Sequence, residues 1–512
     1  MKQQEFPQTG PGQSIHPRDA GSGDAKTRIF FDISSVLDYV RVHHCYSGIQ
    51  RVVAMVLCEV AQRVEPDRLY ITYVSHGDGQ HYCVRLDEIG VEKFLLPTDL
   101  RKVFFITTTN LRSAFDLPQV IRVIRHELRW LFRTRPVTHF PMMLVKKLAQ
   151  LVAGLATRLW FVLTRQSAKG QITKRRLSEV AVAGDTLVLL DSTWSPLFGE
   201  AFSRAHADGM RVYSLVHDLI PLIHPATTDG DMPRVFYQWL KNSIDYTDTY
   251  LANSDSTRRD LEQFLLANQG RKPIRTLPLA QTGLQIQDAE VQFLAPSGEN
   301  APLQQYALAM ELLSKNPLVR SVINVPFVLC VGTIEIRKNI WRLLMAWKSL
   351  IDQGRLDIPR LVLSGRKGWM SQDVYNLLSG TGNLYGYVSL IEGPSDEDLV
   401  FLYRKCLFTT MPSLYEGWGL PVGEALSYGK TAVVSNSSSL PEVGQDMVEY
   451  CDPLSIESIA AAVLRLVDDP DRRLALEARI AATRLRTWGD VATELLQILD
   501  APSHVISAET AP

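Results

Sequence analysis

The chain has 512 residues, 46% apolar and 21% charged, with a formal net charge of −1. That length exceeds one ordinary core and implies two or three domains, and the composition excludes a disordered or fibrous protein. So small a net charge leaves no overall field to recruit nucleic acid or membrane, so either partner has to be read from a local patch; nothing points to nucleic acid.

Residues 1–27 lack the apolar stretch of a secretory signal and read as a disordered tail. Cys45, Cys58, Cys83, Cys330, Cys406 and Cys451 are scattered without a CxxC pair, so they read as small buried thiols of a protein in the reducing cytoplasm. From residue 28 "RIFFDISSVL" predicts a strand, and "IQRVVAMVLCEVAQRV" from Ile49 a helix. Further strands are predicted at 68–75, 102–109, 185–191, 211–219 and 249–254. Their nearly continuous apolar character argues for a parallel sheet covered on both faces.

Within this first region, spanning 28–283, an insertion at about 112–180 breaks the alternation. Residues 120–176 carry thirteen Lys or Arg and one acid, Glu127. Arg122, Arg125, Arg129 and Arg133 fall on one helical face, and Ile121, Ile124, Leu128 and Leu131 on another. The uncharged run at 148–157 is half the ~20 residues that span a bilayer. Two readings fit: a basic amphipathic surface attracted to anionic lipid, or a solvated helical insertion packed on the domain.

Residues 284–322 read as a linker. A second alternating region fills 323–485, with strands at 326–333, 360–365, 407–413 and 431–436 and helices at 338–353, 371–379, 421–428 and 455–468. A helix at 486–500 and a tail at 501–512 close the chain. The predicted fold class is α/β: two doubly wound, Rossmann-like domains facing across a cleft. Ligands of such sheets lie beyond the carboxyl ends of the strands.

Two stretches carry chemistry. In "SLYEGWGLPVGEAL" (413–426) Glu416 comes just past a strand, Gly417 and Gly419 let backbone amides approach a ligand, and Pro421 opens a helix. Glu424 then falls in or near its opening turn, with Gly429 as its stop, so both carboxylates are expected to face one cavity. A carboxylate offers two acceptor oxygens to a vicinal diol, so two of them suit two diols, as on a ribose and a sugar. In "FVLCVGTIEIRKNIWRLLMAW" (327–347) a strand ends at Gly332-Thr333, and Arg337 and Lys338 stand where the next helix begins. Basic side chains at a helix start suit a diphosphate, and the glycine spacing fits neither GxGxxG nor a Walker A loop.

The chain resembles family 4 retaining glycosyltransferases of the GT-B fold. "EGWGLPVGE" is similar to that family's paired-glutamate element, and "ALSYGKTAVVSNSSSLPEVGQD" (425–446) to its continuation. "GTIEIRKN" resembles its diphosphate loop and "RLVLSGRKGW" its next strand. "YSGIQRV" (46–52), "VHDLIPLIHP" (216–225) and "ANSDSTRRDL" (252–261) match in the first domain, and "RTWGDVATELLQIL" (486–499) resembles the helix crossing back to it. "LPLAQTG" (277–283) departs from a frequent glycine near the domain boundary.

The resemblance implies roles. Arg337 and Lys338 would hold the donor diphosphate, Glu424 the ribose diol, and Glu416 the donor sugar hydroxyls. Gly332 and Thr333 would lie against the donor, and amides from Gly417 through Gly419 to Leu420 would line its pocket. The first domain, 28–283, would bind the acceptor and the second, 323–485, the nucleotide sugar; Gly48 would let the first domain close over the phosphates, and His217 would face the sugar near the acceptor. Asp218 would shape a turn. The implied reaction transfers a hexosyl group with retention, without a metal or other cofactor. Similarity to bacterial mannosyltransferases of surface-polysaccharide assembly makes GDP-mannose the first expected donor and a UDP-hexose the second. The expected acceptor is a glycan, free or on a polyprenyl diphosphate. The basic segment at 120–176 would give peripheral contact with the inner face of an anionic membrane. A nucleotide-sugar epimerase of similar fold, and a non-catalytic nucleotide-sugar sensor or membrane-docked scaffold, are the alternatives.

Overall fold

The computed structural model describes residues 27–43, 46–104, 173–283, 317–322 and 324–501. The predicted amino-terminal tail, most of the basic insertion and of the linker, the carboxyl-terminal tail and Cys45 lie outside them.

Two sheets form the frame. The first has the order β4-β3-β2-β1-β5-β6-β7-β8. Its strands are β1 (Ile29–Asp32), β2 (Leu69–Val74), β3 (His81–Arg85), β4 (Arg175–Arg176), β5 (Thr186–Leu189), β6 (Arg211–Val216), β7 (Thr249–Ala252) and β8 (Ile274–Thr276). Pairing is parallel from β2 through β1 to β8, while β3 and β4 add antiparallel at one edge. The second sheet is parallel throughout, ordered β11-β10-β9-β12-β13-β14. It comprises β9 (Phe327–Val331), β10 (Arg360–Gly365), β11 (Val388–Glu392), β12 (Phe408–Met411), β13 (Ala432–Ser435) and β14 (Glu449–Cys451). This is the nucleotide-binding order, with its crevice between β9 and β12. Strands such as β1, β5, β7, β12 and β13 are buried at every residue, as their unbroken apolar or Thr-containing runs require.

Helices that bear on the site are α1 (Ser34–Val42), α2 (Gly48–Ala61), α3 (Pro97–Val103), α4 (Asp255–Ala267), α5 (Ile340–Asp352), α6 (Asp396–Lys405), α7 (Leu420–Ser427) and α8 (Trp488–Asp500). Two expectations are corrected. The strand predicted from residue 28 stops at Asp32, because the Asp32 carboxylate accepts the Ser34 amide at 3.0 Å and turns the chain into α1. The strand predicted at 102–109 begins inside α3: Pro97 sets the first turn, Asp99 lies in that turn and Arg101 and Lys102 lie in the last, all favourable to a helix. Beyond Phe104 that prediction lies outside the described residues.

One apolar cluster joins the domains. It holds Phe31 and Ile71 of the first sheet, Val53 and Leu57 of α2, Trp418 and Val422 of the second domain, and Leu495 and Leu499 of α8. Helix α8 packs on α2 and so ties the carboxyl-terminal end of the chain to the first domain. Two indoles pin the connecting segment: Trp418 Nε1 donates to the Ala280 carbonyl and Trp488 Nε1 to that of Thr282, both at 3.1 Å. Cys83, Cys330, Cys406 and Cys451 are buried free thiols, and Cys58 is half-buried and free. Among the described residues no helix is long and apolar enough to cross a membrane.

Leu495 is fully buried in this shared core. Leu495→Ala is expected to cost roughly 2–5 kcal/mol and lower the thermal midpoint by several degrees, whereas Leu495→Met should cost less than about 1.5 kcal/mol.

Candidate active site

The β9/β12 crevice is built by two loops that face each other. After β9 the chain passes Gly332, Thr333 and Glu335 into a tight turn at Ile336–Lys338. Asn339 follows in the left-handed conformation, φ 60°, and caps α5. Its side-chain amide donates to the Pro412 carbonyl at 2.9 Å and to that of Pro453 at 2.7 Å, which anchors this turn to the end of β12. Arg337 and Lys338 are thereby aimed at the second loop.

They meet Glu416. Arg337 Nη1 lies 2.6 Å from Oε2 and Lys338 Nζ 2.7 Å from Oε1. Arg337 also donates to the Tyr415 carbonyl at 2.8 Å and pairs with Glu335 at 2.6 Å. Glu416 is 6% exposed. Burial pushes its carboxyl up, but Arg337 and Lys338 outweigh that and hold it down at about 2. The same carboxylates overcome the burial of Arg337 and keep its guanidinium firmly charged. Two cations at the carboxyl end of a nucleotide-binding sheet can hold an anion of two phosphates, provided Glu416 gives up part of its hold.

Glu424 does not share that partner set. α7 starts at Leu420, which puts Glu424 at the start of its second turn rather than in its first. There it accepts from Arg51 Nη1 of α2 at 2.9 Å and from the Tyr403 hydroxyl of α6 at 2.8 Å. Arg51 also reaches Asp396 at 3.2 Å. Arg51 lies inside "YSGIQRV", but nothing in the sequence showed that it reaches the other domain. Pro421 does stand in the first turn, and Gly429 follows the helix in the left-handed region at φ 70°.

The glycines govern how closely the domains approach. A Cβ at Gly417 would stand 2.0 Å from the His217 carbonyl oxygen. Gly419 takes φ 105°, where other residues are strained, and caps α7. Gly48 opens α2, and a Cβ there would lie 3.4 Å from Leu420 Cδ1. His217 itself sits past β6 with Nε2 2.8 Å from the Leu190 carbonyl, so that nitrogen carries the proton. Burial pushes its imidazole down to about 4, the Leu190 hydrogen bond opposing, and it is neutral at pH 7. Asp218 accepts the Ile220 amide at 3.0 Å and shapes the turn. Arg337, Lys338, Glu416, Gly417 and His217 thus converge, while Glu424 and Arg51 form a second contact between the domains.

Two doubly wound α/β domains facing across a cleft define the GT-B architecture, whose ligands lie at the switch points of the sheets. Residues 320–482 match the family described as Glycosyl transferases group 1. The chain is 31% identical over 287 residues to the O-antigen chain mannosyltransferase B of Escherichia coli, covering 56% of this chain and 69% of that protein. It is 25% identical over 285 residues to the serotype-specific mannosyltransferase WbdA of Escherichia coli, covering 54% of this chain and about a third of that one. Among solved structures, Anabaena HepE in complex with UDP and glucose superposes with a TM-score of 0.50 at 12% identity, covering 93% of this chain and 99% of that one. The chain belongs to the group 1 glycosyltransferases.

Two tests follow from the geometry. Gly417→Ala is expected to abolish turnover while the protein stays folded, since the methyl meets backbone of the opposite domain; wild-type turnover would show that the contact is not made. Because the folded carboxyl of Glu416 lies below its unfolded value of 4.5, its contribution is complete above about pH 4.5 and is lost as pH falls towards 2. Glu416→Gln should therefore shallow the fall in urea midpoint between pH 5 and pH 3.

Proposed function

We infer that this protein is a family 4 retaining mannosyltransferase that uses GDP-mannose and extends a glycan, on its own or carried on a polyprenyl diphosphate, in surface-polysaccharide assembly. The observation that carries the reading is the convergence of Arg337 and Lys338 on Glu416 at the β9/β12 switch point. The matched relatives bear mannosyltransferase names, which supports mannose over other hexoses.

In this reading the diphosphate lies against Arg337 and Lys338, and Glu416 turns its oxygens to the sugar hydroxyls. The bond between the anomeric carbon and the phosphate oxygen breaks, and its electron pair leaves with the diphosphate. The two cations, largely buried, stabilise that growing charge. The acceptor oxygen bonds to the anomeric carbon on the face the diphosphate left, and its proton passes to the departing phosphate oxygen. Glu424, steadied by Arg51 and Tyr403, has lone pairs left for the ribose diol. Arg337 and Lys338 supply the charge that Mg²⁺ supplies in other transferases, so the reading is metal-independent. Residues 120–176 would bring the enzyme to an anionic membrane surface.

The test is transfer from radiolabelled GDP-mannose to a lipid or glycan extract, beside a thermal-shift series with GDP, UDP and ADP. Stabilisation by GDP above UDP and ADP is expected, with turnover unchanged by EDTA. Arg337→Ala and Lys338→Ala should each lower turnover by on the order of 10²–10³. Unaltered turnover in both variants overturns the role given to the two cations, binding of a nucleoside diphosphate without any turnover of the wild type points to a sensor or scaffold, and conversion of the nucleotide sugar without any acceptor to an epimerase. Failure to float with anionic vesicles removes the membrane contact.

A further inference from the structure

Away from the cleft, the second sheet ends in the edge strand β14. Two helices follow it, Ile456–Val467 and Pro470–Ala482, the first packed on both β14 and α5. A cavity of about 590 Å³ lies between the strand and these helices. Glu449 and Tyr450 line it from the strand, and Arg465, Arg472, Leu476 and Arg479 from the helices. Asp446 and Val448, which precede the strand, line it too, so it lies toward the amino end of the sheet. The donor loops stand at the carboxyl ends.

The charges of this cavity are arranged around one buried carboxylate. Glu449 is 5% exposed, and each of its oxygens takes a guanidinium group: Arg465 Nε at 2.9 Å on Oε2, and Arg472 Nε on Oε1. Arg479 follows Arg472 by two helical turns on the same face and pairs through Nη1 with Asp446 at 3.0 Å. These contacts occupy only part of each fork. Among the described residues, neither Nη of Arg472, nor Nη1 of Arg465, nor Nη2 of Arg479 has a protein partner. The three side chains are 41%, 48% and 53% exposed in that chain order, so these groups are open to a ligand.

Three cations against two carboxylates leave the lining net positive, and both oxygens of Glu449 are already engaged. An anion is therefore the ligand the cavity favours. Planar guanidinium forks match the oxygens of a phosphate two at a time. Because buried Glu449 grips two of the arginines, their heads are held side by side before a ligand arrives, which lowers the cost of ordering them. Pairing Glu449 does not account for Arg479, which brings a third cation to the same space. The volume exceeds what a bare phosphate needs and falls in the range of organic ligands. Val448 and Leu476 give that space an apolar wall.

We propose that this cavity binds an organic phosphate, its charged group bridging Arg465, Arg472 and Arg479 and its body lying against Val448 and Leu476. The site is separate from the donor crevice, goes beyond the function inferred above and does not rest on it. The phosphate belongs either to a soluble ester or to a lipid headgroup, and the two sources are told apart by experiment.

The full chain is titrated calorimetrically with glycerol 3-phosphate and floated with vesicles of phosphatidylglycerol or of phosphatidylcholine. The test variant is Arg472→Gln with Arg479→Gln, which leaves Arg465 to pair with Glu449; Arg337→Ala in the donor loop is the control. For a soluble ester, wild type and Arg337→Ala should bind glycerol 3-phosphate alike. The double variant should then bind it about 10–100-fold more weakly, the worth of a hydrogen bond to a charged group. For a lipid headgroup, the wild type should float with phosphatidylglycerol and not with phosphatidylcholine. The double variant should then lose about tenfold or more in vesicle partitioning. In both cases the double variant should keep its response to GDP. A wild type that neither binds glycerol 3-phosphate nor floats with phosphatidylglycerol overturns the proposal, and needs no variant to fold. So does a double variant that binds and floats as wild type does, or one whose loss extends equally to GDP. Failure of the GDP series itself leaves this site standing, since none of its residues belongs to the donor loops.

Discussion

One carboxylate held by two cations across a gap between strands is what the site depends on. Glu416 takes Arg337 and Lys338 on its two oxygens while nearly buried. Burying three charges is expensive, and such a cluster adds little to stability compared with apolar packing. Its effect is to fix directions. The turn at Ile336–Lys338 can aim both cations only because Asn339 accepts a left-handed backbone and bonds across to the Pro412 and Pro453 carbonyls. Both cations are paired with protein carboxylates, Arg337 with Glu335 and Glu416 and Lys338 with Glu416.

The second constraint is closeness between domains. Gly417 lies on the His217 backbone, and Gly48 lies over Leu420, so the loop after β12 and the start of α2 are in contact. Helix α2 joins the ends of the molecule. Arg51 near its start grips Glu424 and Asp396 of the second domain, and its length packs on α8, which comes from the carboxyl-terminal end of the chain. On the first domain's side, Asp32 is held by Ser34 and Asp191 by Gln50, one residue before Arg51.

Much of the frame was legible because parallel strands buried on both faces must be continuously apolar, as "FVLCV" and "TLVL" are. Strands that were missed lie at a sheet edge or, like β3, next to one: β3, β4, β8, β11 and β14. Half-exposed residues there weaken the apolar run that reveals a strand. The start of the strand predicted at 102–109 shows the reverse, since the preceding proline and flanking charges commit residues 102 and 103 to a helix.

At the site, Arg337, Lys338, Glu416, Glu424 and the glycines could be picked from local sequence, because each sits at a strand end or helix start with recognisable backbone chemistry. The alternation of apolar segments determined two doubly wound domains, and the loop residues determined that one of them offers cations and acids to a ligand. Tertiary structure alone decided that Glu416 and Glu424 take different protein partners, and that Arg51 crosses to Glu424 from 373 positions away. The physical reason is that helix starts and strand ends are set by neighbours in the chain, whereas the partner of a charge is set by which loops the folded sheets bring within hydrogen-bonding distance.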